Sequence, residues 1–192
     1  MTRPNAARHS APVTGAPARA PLVHRALRRP ALRVLERFFD FRVEGAEHLP
    51  ATGPYIVAAN HHNYLDGVVL TLAVPRPIAF IVMPRVYRAT PLHPLLHRHV
   101  GSIPISLKRP DVGALRRALE RLRQGHLVGI FPEGPFSTRG RLEPGLPGVG
   151  LLALCSGVPV VPAGIRGTYE ALRDRWGYVP RRHPLSVRFG AP

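Results

Sequence analysis

Cysteine is almost absent from this sequence of 192 residues, and its scarcity excludes two kinds of site. A single residue, Cys155, cannot form an intramolecular disulfide framework or a zinc site with several thiolate ligands. It lies in the apolar stretch 151–155, where we expect a small buried hydrophobic residue rather than a nucleophile. This cysteine usage favours a reducing, cytoplasmic setting, and we expect neither a metal ion nor a bound cofactor.

Acidic residues are also scarce. The chain has 11 Asp and Glu against 27 Lys and Arg, which gives a formal net charge of +16. A positive field of this size favours nucleic acid, an anionic lipid surface or a phosphate-bearing cosubstrate. The arginines are spread through every segment, however, so a general compositional bias is also a strong explanation. Aromatic residues make up only 7% and include one tryptophan, Trp176, so stacking residues are few and we expect no specific nucleic-acid partner.

Long apolar runs are missing as well, since none approaches the ~20 residues that cross a bilayer. Any contact with a membrane is therefore predicted to be peripheral. Residues 1–22 are rich in alanine, proline and arginine and are predicted to be a disordered basic tail. The lack of acidic residues before Glu36 is typical of a transit peptide, but the single Ser10 and the frequent prolines weaken that interpretation. We expect no secretory signal, because the tail has no apolar core segment.

Residues 23–40 have the pattern of an amphipathic helix. Apolar residues recur there at steps of three and four, while arginines occupy the other faces; the apolar set is Leu27, Ala31, Val34, Leu35 and Phe38. A basic amphipathic helix can lie in a lipid interface, which would place the protein at the inner face of the membrane. Packing of the same apolar stripe against the domain is an equally good interpretation, and both can hold together.

Residues 41–192 alternate between short apolar strands and helices. The predicted strands fall near 41–45, 55–59, 78–82, 103–106, 126–131, 158–162 and 185–189, and the predicted helices near 66–73, 91–100, 111–125 and 148–156. Such alternation is typical of α/β proteins. We therefore predict a single α/β domain with a mixed, mostly parallel sheet covered by helices.

The segment 60–66 is the first candidate functional motif. The apolar run 55–59 ends there in His61, and Asp66 follows five residues later. A carboxylate on one ring nitrogen can hold an imidazole in one tautomer, so that the other nitrogen acts as a general base. The pattern alone is weak, because a loop histidine beside a helix-starting aspartate would look the same, and His62 is a rival for the base.

Three further blocks follow in order: 101–105, 131–134 and 158–168. Together with Asn60-His61-x-x-x-x-Asp66, this succession resembles the glycerolipid acyltransferase family, typified by 1-acylglycerol-3-phosphate acyltransferases. The resemblance runs from about Arg42 to Pro192, and it rests most firmly on the first block and on Phe131-Pro-Glu-Gly134. The chain stops soon after its last predicted strand, so we expect it to lack a C-terminal helix that longer relatives carry.

The resemblance implies transfer of a fatty acyl group from a thioester, on coenzyme A or acyl carrier protein, to a lysophospholipid hydroxyl, with 1-acylglycerol-3-phosphate as the first expected acceptor. His61 would take the hydroxyl proton and Asp66 would orient the ring, without an acyl-enzyme. Backbone N–H groups at Asp66 and Gly67 are candidate oxyanion donors. Asn63, Glu133 and Gly134 are implied substrate-binding residues, and Asn63 stands where the family usually has serine.

Two departures from the family pattern affect the acceptor. Phe136 and Leu107 stand where the family commonly has arginine. The nearby cations Lys108, Arg109 and Arg139, or Arg141 in place of Arg139, are candidates to replace those charges. Displaced cations do not reproduce a bidentate arginine grip on phosphate, so a less charged alcohol or amine, or another lysolipid, stays open as the acceptor.

Two other functions stay open. An inactive lipid- or acyl-binding module would need no chemistry, and a hydrolase could use the same base on water, although no Gly-x-Ser-x-Gly turn is present. The three histidines His93, His97 and His99 have ligand-like spacing but no acidic partner nearby, so we interpret them as residues on a helix surface.

Overall fold

The computed structural model describes residues 22–83, 101–106, 111–137, 139–172 and 179–192. Its strands are β1 Arg42–Glu44, β2 Ile56–Ala59, β3 Ile78–Val82, β4 Ile103–Pro104, β5 Leu127–Ile130, β6 Val160–Arg166 and β7 Ser186–Phe189. Its helices are α1 Leu22–Phe39, α2 Tyr64–Ala73, α3 Val112–Arg123, α4 Gly148–Ser156 and α5 Thr168–Ala171, with a 3-10 turn at Ala46–His48. The structure describes none of the predicted tail 1–22 except Leu22, which is the first residue of α1. The predicted helix 91–100 with its three histidines, and Trp176, also lie outside the described residues.

The strands of the described residues form one sheet in the order β1-β7-β6-β2-β5-β3-β4. Neighbouring strands run parallel except for β6 and β7, which pair antiparallel. The central strand β2 lies between β5 and β6, so both of its edges are hydrogen-bonded. The predicted mixed, mostly parallel α/β sheet is confirmed.

Helices cover both faces of this sheet. Along β2, Ile56 and Val57 are fully buried and belong to different apolar clusters, because successive side chains of a strand point to opposite faces. The cluster that contains Val57 includes residues of α1 and α2, and the cluster that contains Ile56 includes residues of α3 and α4. Burial on both faces explains why the strand sequence is apolar throughout rather than alternating.

The start of α3 shows how local sequence sets the helix boundaries. The Asp111 carboxylate accepts hydrogen bonds from the N–H groups of Ser106 at 3.0 Å and Ala114 at 2.8 Å. These donors, that of Ser106 first, hold the pKa of the Asp111 side chain below its usual value. Gly125, at a φ of 78°, follows the helix end, where glycine accepts the left-handed backbone at little cost.

One burial prediction is wrong. Cys155 is exposed on α4, which buries Leu152 and Ser156 instead. The stretch 151–155 is apolar throughout, so sequence alone could not indicate which face of this short helix meets the sheet.

The predicted N-terminal helix is present as α1, and it divides its apolar residues between two environments. Leu35 is buried in the core and Ala31 is half-buried. Leu27, Val34 and Phe38 are 63%, 52% and 55% exposed. No helix within the described ranges combines the length and the apolar character needed to cross a membrane.

Candidate active site

The candidate site lies at the carboxyl end of β2, where the chain leaves the sheet through the loop 60–63 and enters α2. Parallel α/β sheets place their functional residues at this end of the strands, because the loops from neighbouring strands meet there. The loop that follows β5 reaches the same edge of the sheet, since β2 and β5 pair in parallel.

His61 and Asp66 meet at this edge. The Nδ1 atom of His61 lies 2.9 Å from Oδ2 of Asp66, and both side chains are buried. Because a carboxylate partner requires a donor, Nδ1 carries the proton in the neutral ring and Nε2 is left as the basic nitrogen. His61 also lines a cavity, so the same residue contacts both the buried carboxylate and that open space. The spacing in the sequence had predicted this pairing.

Asp66 holds the surrounding backbone as well as the imidazole. Its Oδ2 atom accepts the N–H groups of His62 at 2.6 Å and Asn63 at 2.7 Å. The carboxylate is fully buried. One side chain therefore fixes both the ring of His61 and the loop that carries it.

Two asparagines fasten this loop to β6 and α5. The amide of Asn60 donates to the carbonyl oxygen of Ile165 at 2.9 Å and accepts the N–H of Ile165 at 2.6 Å. The amide of Asn63 donates to the carbonyl oxygen of Thr168 at 2.7 Å and accepts the N–H of Leu65 at 2.9 Å. These bonds give Asn63 a positioning role at the start of α2, and its direct contact with substrate stays a prediction.

The start of α2 bears on the predicted oxyanion donors. The N–H of Asp66 donates to the carbonyl oxygen of Asn63 at 3.3 Å, as part of the helix cap. Gly67, the other candidate, borders the cavity. Of these two residues, only Gly67 is on the described cavity lining, and its role as an oxyanion donor stays a prediction.

Glu133 ties the loop after β5 to the histidine. Its Oε1 atom accepts the N–H of His61 at 2.9 Å, and its Oε2 atom accepts the N–H of Glu143 at 3.0 Å. Ser137 adds a bond from its N–H to the carbonyl oxygen of His61 at 2.8 Å. Gly134 forms the tight turn that the sequence predicted, with a φ of 76°. Both oxygens of Glu133 thus serve the protein, which gives this residue a role in organising the site.

The ring of His61 is enclosed by aromatic side chains. Phe131 stacks on it with the ring centroids 3.8 Å apart and the planes at 7°. Phe136 meets it edge-on at 4.5 Å and 73°, and also meets Tyr64 at 4.7 Å. Sequence reasoning missed Phe131 as a site residue and treated Phe136 only as a lost arginine.

A cavity of about 490 Å³ opens beside His61. Its described lining is mostly apolar and comes from α1, α2, β3, β5 and the loop after β5; it includes Ala31, Tyr64, Val68, Phe80, Gly134 and Phe136. Within the described part of the chain, no group of three or more His, Cys, Asp or Glu residues is placed to hold a metal ion. The arrangement can place a long apolar group next to a basic nitrogen.

The predicted cations are not on the described lining of this cavity. The Nε and Nη2 atoms of Arg139 lie 3.2 Å from the two carboxylate oxygens of Glu143, and the Arg139 side chain is 62% exposed. Arg141 is exposed. Lys108 and Arg109, together with Leu107, lie outside the described residues, so their binding roles stay predictions.

Fold and site together define an α/β protein in which a buried His–Asp pair lies at the end of a central parallel strand, above an apolar cavity. The family model described as Acyltransferase matches residues 40–166. Because this match covers more than half of the 192 residues, the chain belongs to the acyltransferase family. The resemblance drawn from the sequence motifs is confirmed.

Individual relatives agree with this assignment. The chain is 32% identical over 134 residues to the chloroplastic 1-acyl-sn-glycerol-3-phosphate acyltransferase BAT2 of Brassica napus. The matched region is 68% of this chain and 38% of that relative. It is 29% identical over 146 residues to lysophosphatidylcholine acyltransferase 1 of Danio rerio, and this matched region is 72% of this chain and 26% of that relative. The chain therefore spans less than two fifths of the length of either protein.

A solved structure supports the same fold. The 1-acyl-sn-glycerophosphate (LPA) acyltransferase PlsC of Thermotoga maritima aligns with a TM-score of 0.65 and 27% sequence identity, over 88% of this chain and 71% of that one.

Proposed function

We propose that this protein is an O-acyltransferase that moves a fatty acyl group from an acyl thioester to the free hydroxyl of a lysoglycerolipid. The observation that carries the proposal is the buried pair of His61 and Asp66 beside the apolar cavity. Family membership and the names of the relatives support the reaction class. The names of the relatives also make 1-acylglycerol-3-phosphate the reference acceptor. Coenzyme A or acyl carrier protein as the carrier of the acyl group is part of the proposal.

The chemistry follows from the two nitrogens of the imidazole. Nε2 of His61 takes the proton of the acceptor hydroxyl while the oxygen attacks the thioester carbonyl, which forms a tetrahedral intermediate. Asp66 stabilises the imidazolium through Nδ1–H. When the carbon–sulfur bond breaks, the imidazolium returns its proton to the leaving thiolate. The products are an ester and a free thiol, and His61 is neutral again, so no acyl-enzyme is needed.

The cavity suits the acyl chain of the donor. A site for an apolar ligand is concave and mostly apolar, with a few polar groups at the reacting end. Here His61 is the polar group and the walls are mainly apolar side chains from α1, α2 and β3. An acyl chain in this cavity would bring its carbonyl carbon to the imidazole.

The proposal is tested by release of free thiol from purified protein supplied with acyl-coenzyme A. The panel contains 1-acylglycerol-3-phosphate, neutral lysolipids and long-chain alcohols, with product esters identified by mass spectrometry and His61→Ala as the control. We expect release that depends on both an acceptor and His61. Release without any acceptor would indicate a thioesterase, and donor binding without release would indicate an inactive acyl-binding module.

We also propose that the protein docks on an anionic membrane surface through α1, at the inner face of the cytoplasmic membrane. Leu27, Val34 and Phe38 are spaced by seven and four residues, so they share one exposed face of the helix. The same helix carries exposed arginines at positions 25, 29, 33 and 37, of which 33 and 37 border this face. Ala31 of the same helix lines the cavity, so docking would bring the cavity to the lipid.

Substitution of the three exposed residues by serine tests this docking more cleanly than deletion of α1, because Leu35 of α1 belongs to the core. We expect Leu27→Ser, Val34→Ser and Phe38→Ser together to weaken co-sedimentation with anionic vesicles, and wild-type binding to decrease with salt. The control is Val112→Ser, at a residue that is 65% exposed on α3. Equal binding by the triple variant and the control would contradict docking through α1.

A further inference from the structure

Phe136 packs against the imidazole of His61 and gives the ring apolar surroundings. Its ring meets the imidazole of His61 edge-on at 4.5 Å, while Phe131 stacks on the imidazole at 3.8 Å. Tyr64 also contacts Phe136, with the two rings 4.7 Å apart and at 77°. Both His61 and Phe136 line the cavity. An acceptor hydroxyl that reaches His61 must therefore pass close to hydrocarbon.

A phosphate monoester is poorly suited to this environment. In 1-acylglycerol-3-phosphate, the carbon that bears the reacting hydroxyl is bonded directly to the carbon that bears the phosphate. The phosphate would therefore be held near the aromatic rings, where a charged group loses water and needs cationic or N–H partners. Among the cavity-lining residues that the structure describes, none is a lysine or an arginine. Lys108 and Arg109, the other two cations predicted for the acceptor, lie outside the described residues.

The arginine closest to Phe136 in the sequence does not supply the missing positive charge. Arg139 lies three residues beyond Phe136, but its guanidinium is paired with the carboxylate of Glu143 through two contacts of 3.2 Å. The Arg139 side chain is exposed rather than directed to the cavity lining. To bind a phosphate at His61 it would have to leave Glu143 and enter a space that Phe136 borders.

We infer that Phe136 is a specificity-determining residue that selects acceptors whose group next to the reacting hydroxyl is uncharged. The acceptor class is a neutral hydroxyl lipid, such as a monoacylglycerol, in preference to a lysophosphatidic acid. This inference rests on the proposed acyl transfer and narrows its acceptor. An apolar neighbour also suits the chemistry, because it excludes water that would compete with the acceptor for the thioester.

A matched pair of acceptors tests the inference. The full chain is assayed with acyl-coenzyme A and either 1-monoacylglycerol or 1-acylglycerol-3-phosphate of the same chain length, and kcat/KM is measured for each. We expect the wild-type protein to prefer the neutral acceptor by about tenfold or more. Phe136→Arg should shift that ratio about tenfold towards the phosphate acceptor, whereas Phe136→Leu, which stays apolar, should keep the wild-type preference.

The outcomes separate the inference from the proposed function. A wild-type preference for the phosphate acceptor would overturn the selection by Phe136 while leaving acyl transfer intact. An unchanged ratio of kcat/KM for the two acceptors in a folded Phe136→Arg variant would also overturn the selection by Phe136. Transfer to neither acceptor, nor to any other member of the panel, with acyl-coenzyme A and with acyl-loaded acyl carrier protein as donors, would contradict the proposed function and the inference with it. If Phe136→Arg does not fold, the wild-type ratio decides the question.

Discussion

The two loops that meet at His61 differ in how the protein holds them. The loop 60–63 is fixed by buried bonds to Asp66, β6 and α5. The loop after β5 is attached through Glu133 and the N–H of Ser137, but its Arg139 side chain faces solvent. The sheet and α2 therefore position the base, while the residues that would meet the acceptor lie on a loop with partly exposed side chains. Such a loop can change its side chains without moving the base.

The largest effect is expected for His61→Ala, because a general base typically accelerates a reaction by about 10²–10⁴-fold. Turnover with any acceptor should fall by that factor while the circular dichroism spectrum stays close to wild type. The unfolding temperature should fall, because the buried Asp66 carboxylate loses its imidazole partner and Phe131 loses the ring that stacks on it. The matched control is His62→Ala, which removes the adjacent imidazole. That ring contacts the Asn60 amide at 3.0 Å rather than Asp66, so we expect a loss of less than about tenfold. Similar losses in the two variants would contradict the assignment of His61.

A smaller effect is expected for Asp66→Asn, which keeps the size of the side chain but removes its charge. Turnover should fall about a hundredfold, because the imidazolium loses its partner. Stability should also fall, by about 1–3 kcal/mol, since the buried carboxylate accepts two backbone N–H groups as well. Donor affinity, measured by calorimetry with acyl-coenzyme A, should change little. A collapse of donor binding would show that Asp66 is structural only.

Glu133→Gln tests the connection between the two loops. An amide has one acceptor oxygen where the carboxylate has two, so one of the bonds to His61 or Glu143 is lost. We expect turnover to fall by about tenfold, which corresponds to about 1.4 kcal/mol, and the unfolding temperature to fall as well. Turnover equal to wild type would show that the base does not depend on this connection.

The smallest effect is expected for Arg139→Ala. The pair of Arg139 with Glu143 is at the surface, and such pairs contribute about 0–1 kcal/mol. Thermal unfolding should therefore shift little. Because Arg139 is paired with Glu143 and is not on the described cavity lining, KM should change little for either acceptor. A several-fold rise of KM for the phosphate acceptor alone would instead support the binding role that the sequence predicted for Arg139. An equal KM change for both acceptors would exclude a phosphate-specific role.

Much of the fold could be predicted from local sequence. Asp111 and Gly125 mark the ends of α3, and the apolar runs mark the strands, because caps, turns and continuous apolar segments act over a few residues. The pairing of His61 with Asp66 was predictable for the same reason, since both lie within one strand–helix connection.

Contacts between distant segments could not be predicted in this way. The two hydrogen bonds between the Asn60 amide and the backbone of Ile165 depend on β6 lying next to β2, and no local pattern predicts strand order. Two further contacts likewise depend on how the loops turn: the hydrogen bond from the N–H of Glu143 to the carboxylate of Glu133, and the stacking of Phe131 on His61. These longer-range contacts complete the site around a pair that the sequence already suggested.

The central claim is direct transfer of the acyl group to an acceptor with His61 as the base. It is tested most directly by mixing the protein with a stoichiometric amount of acyl-coenzyme A, with and without acceptor, and following thiol release and the intact protein mass. We predict no thiol release and an unmodified mass until acceptor is added, and then release that matches ester formation and is lost in His61→Ala. Release of thiol before acceptor addition, with a protein mass increased by the acyl group, would contradict the claim.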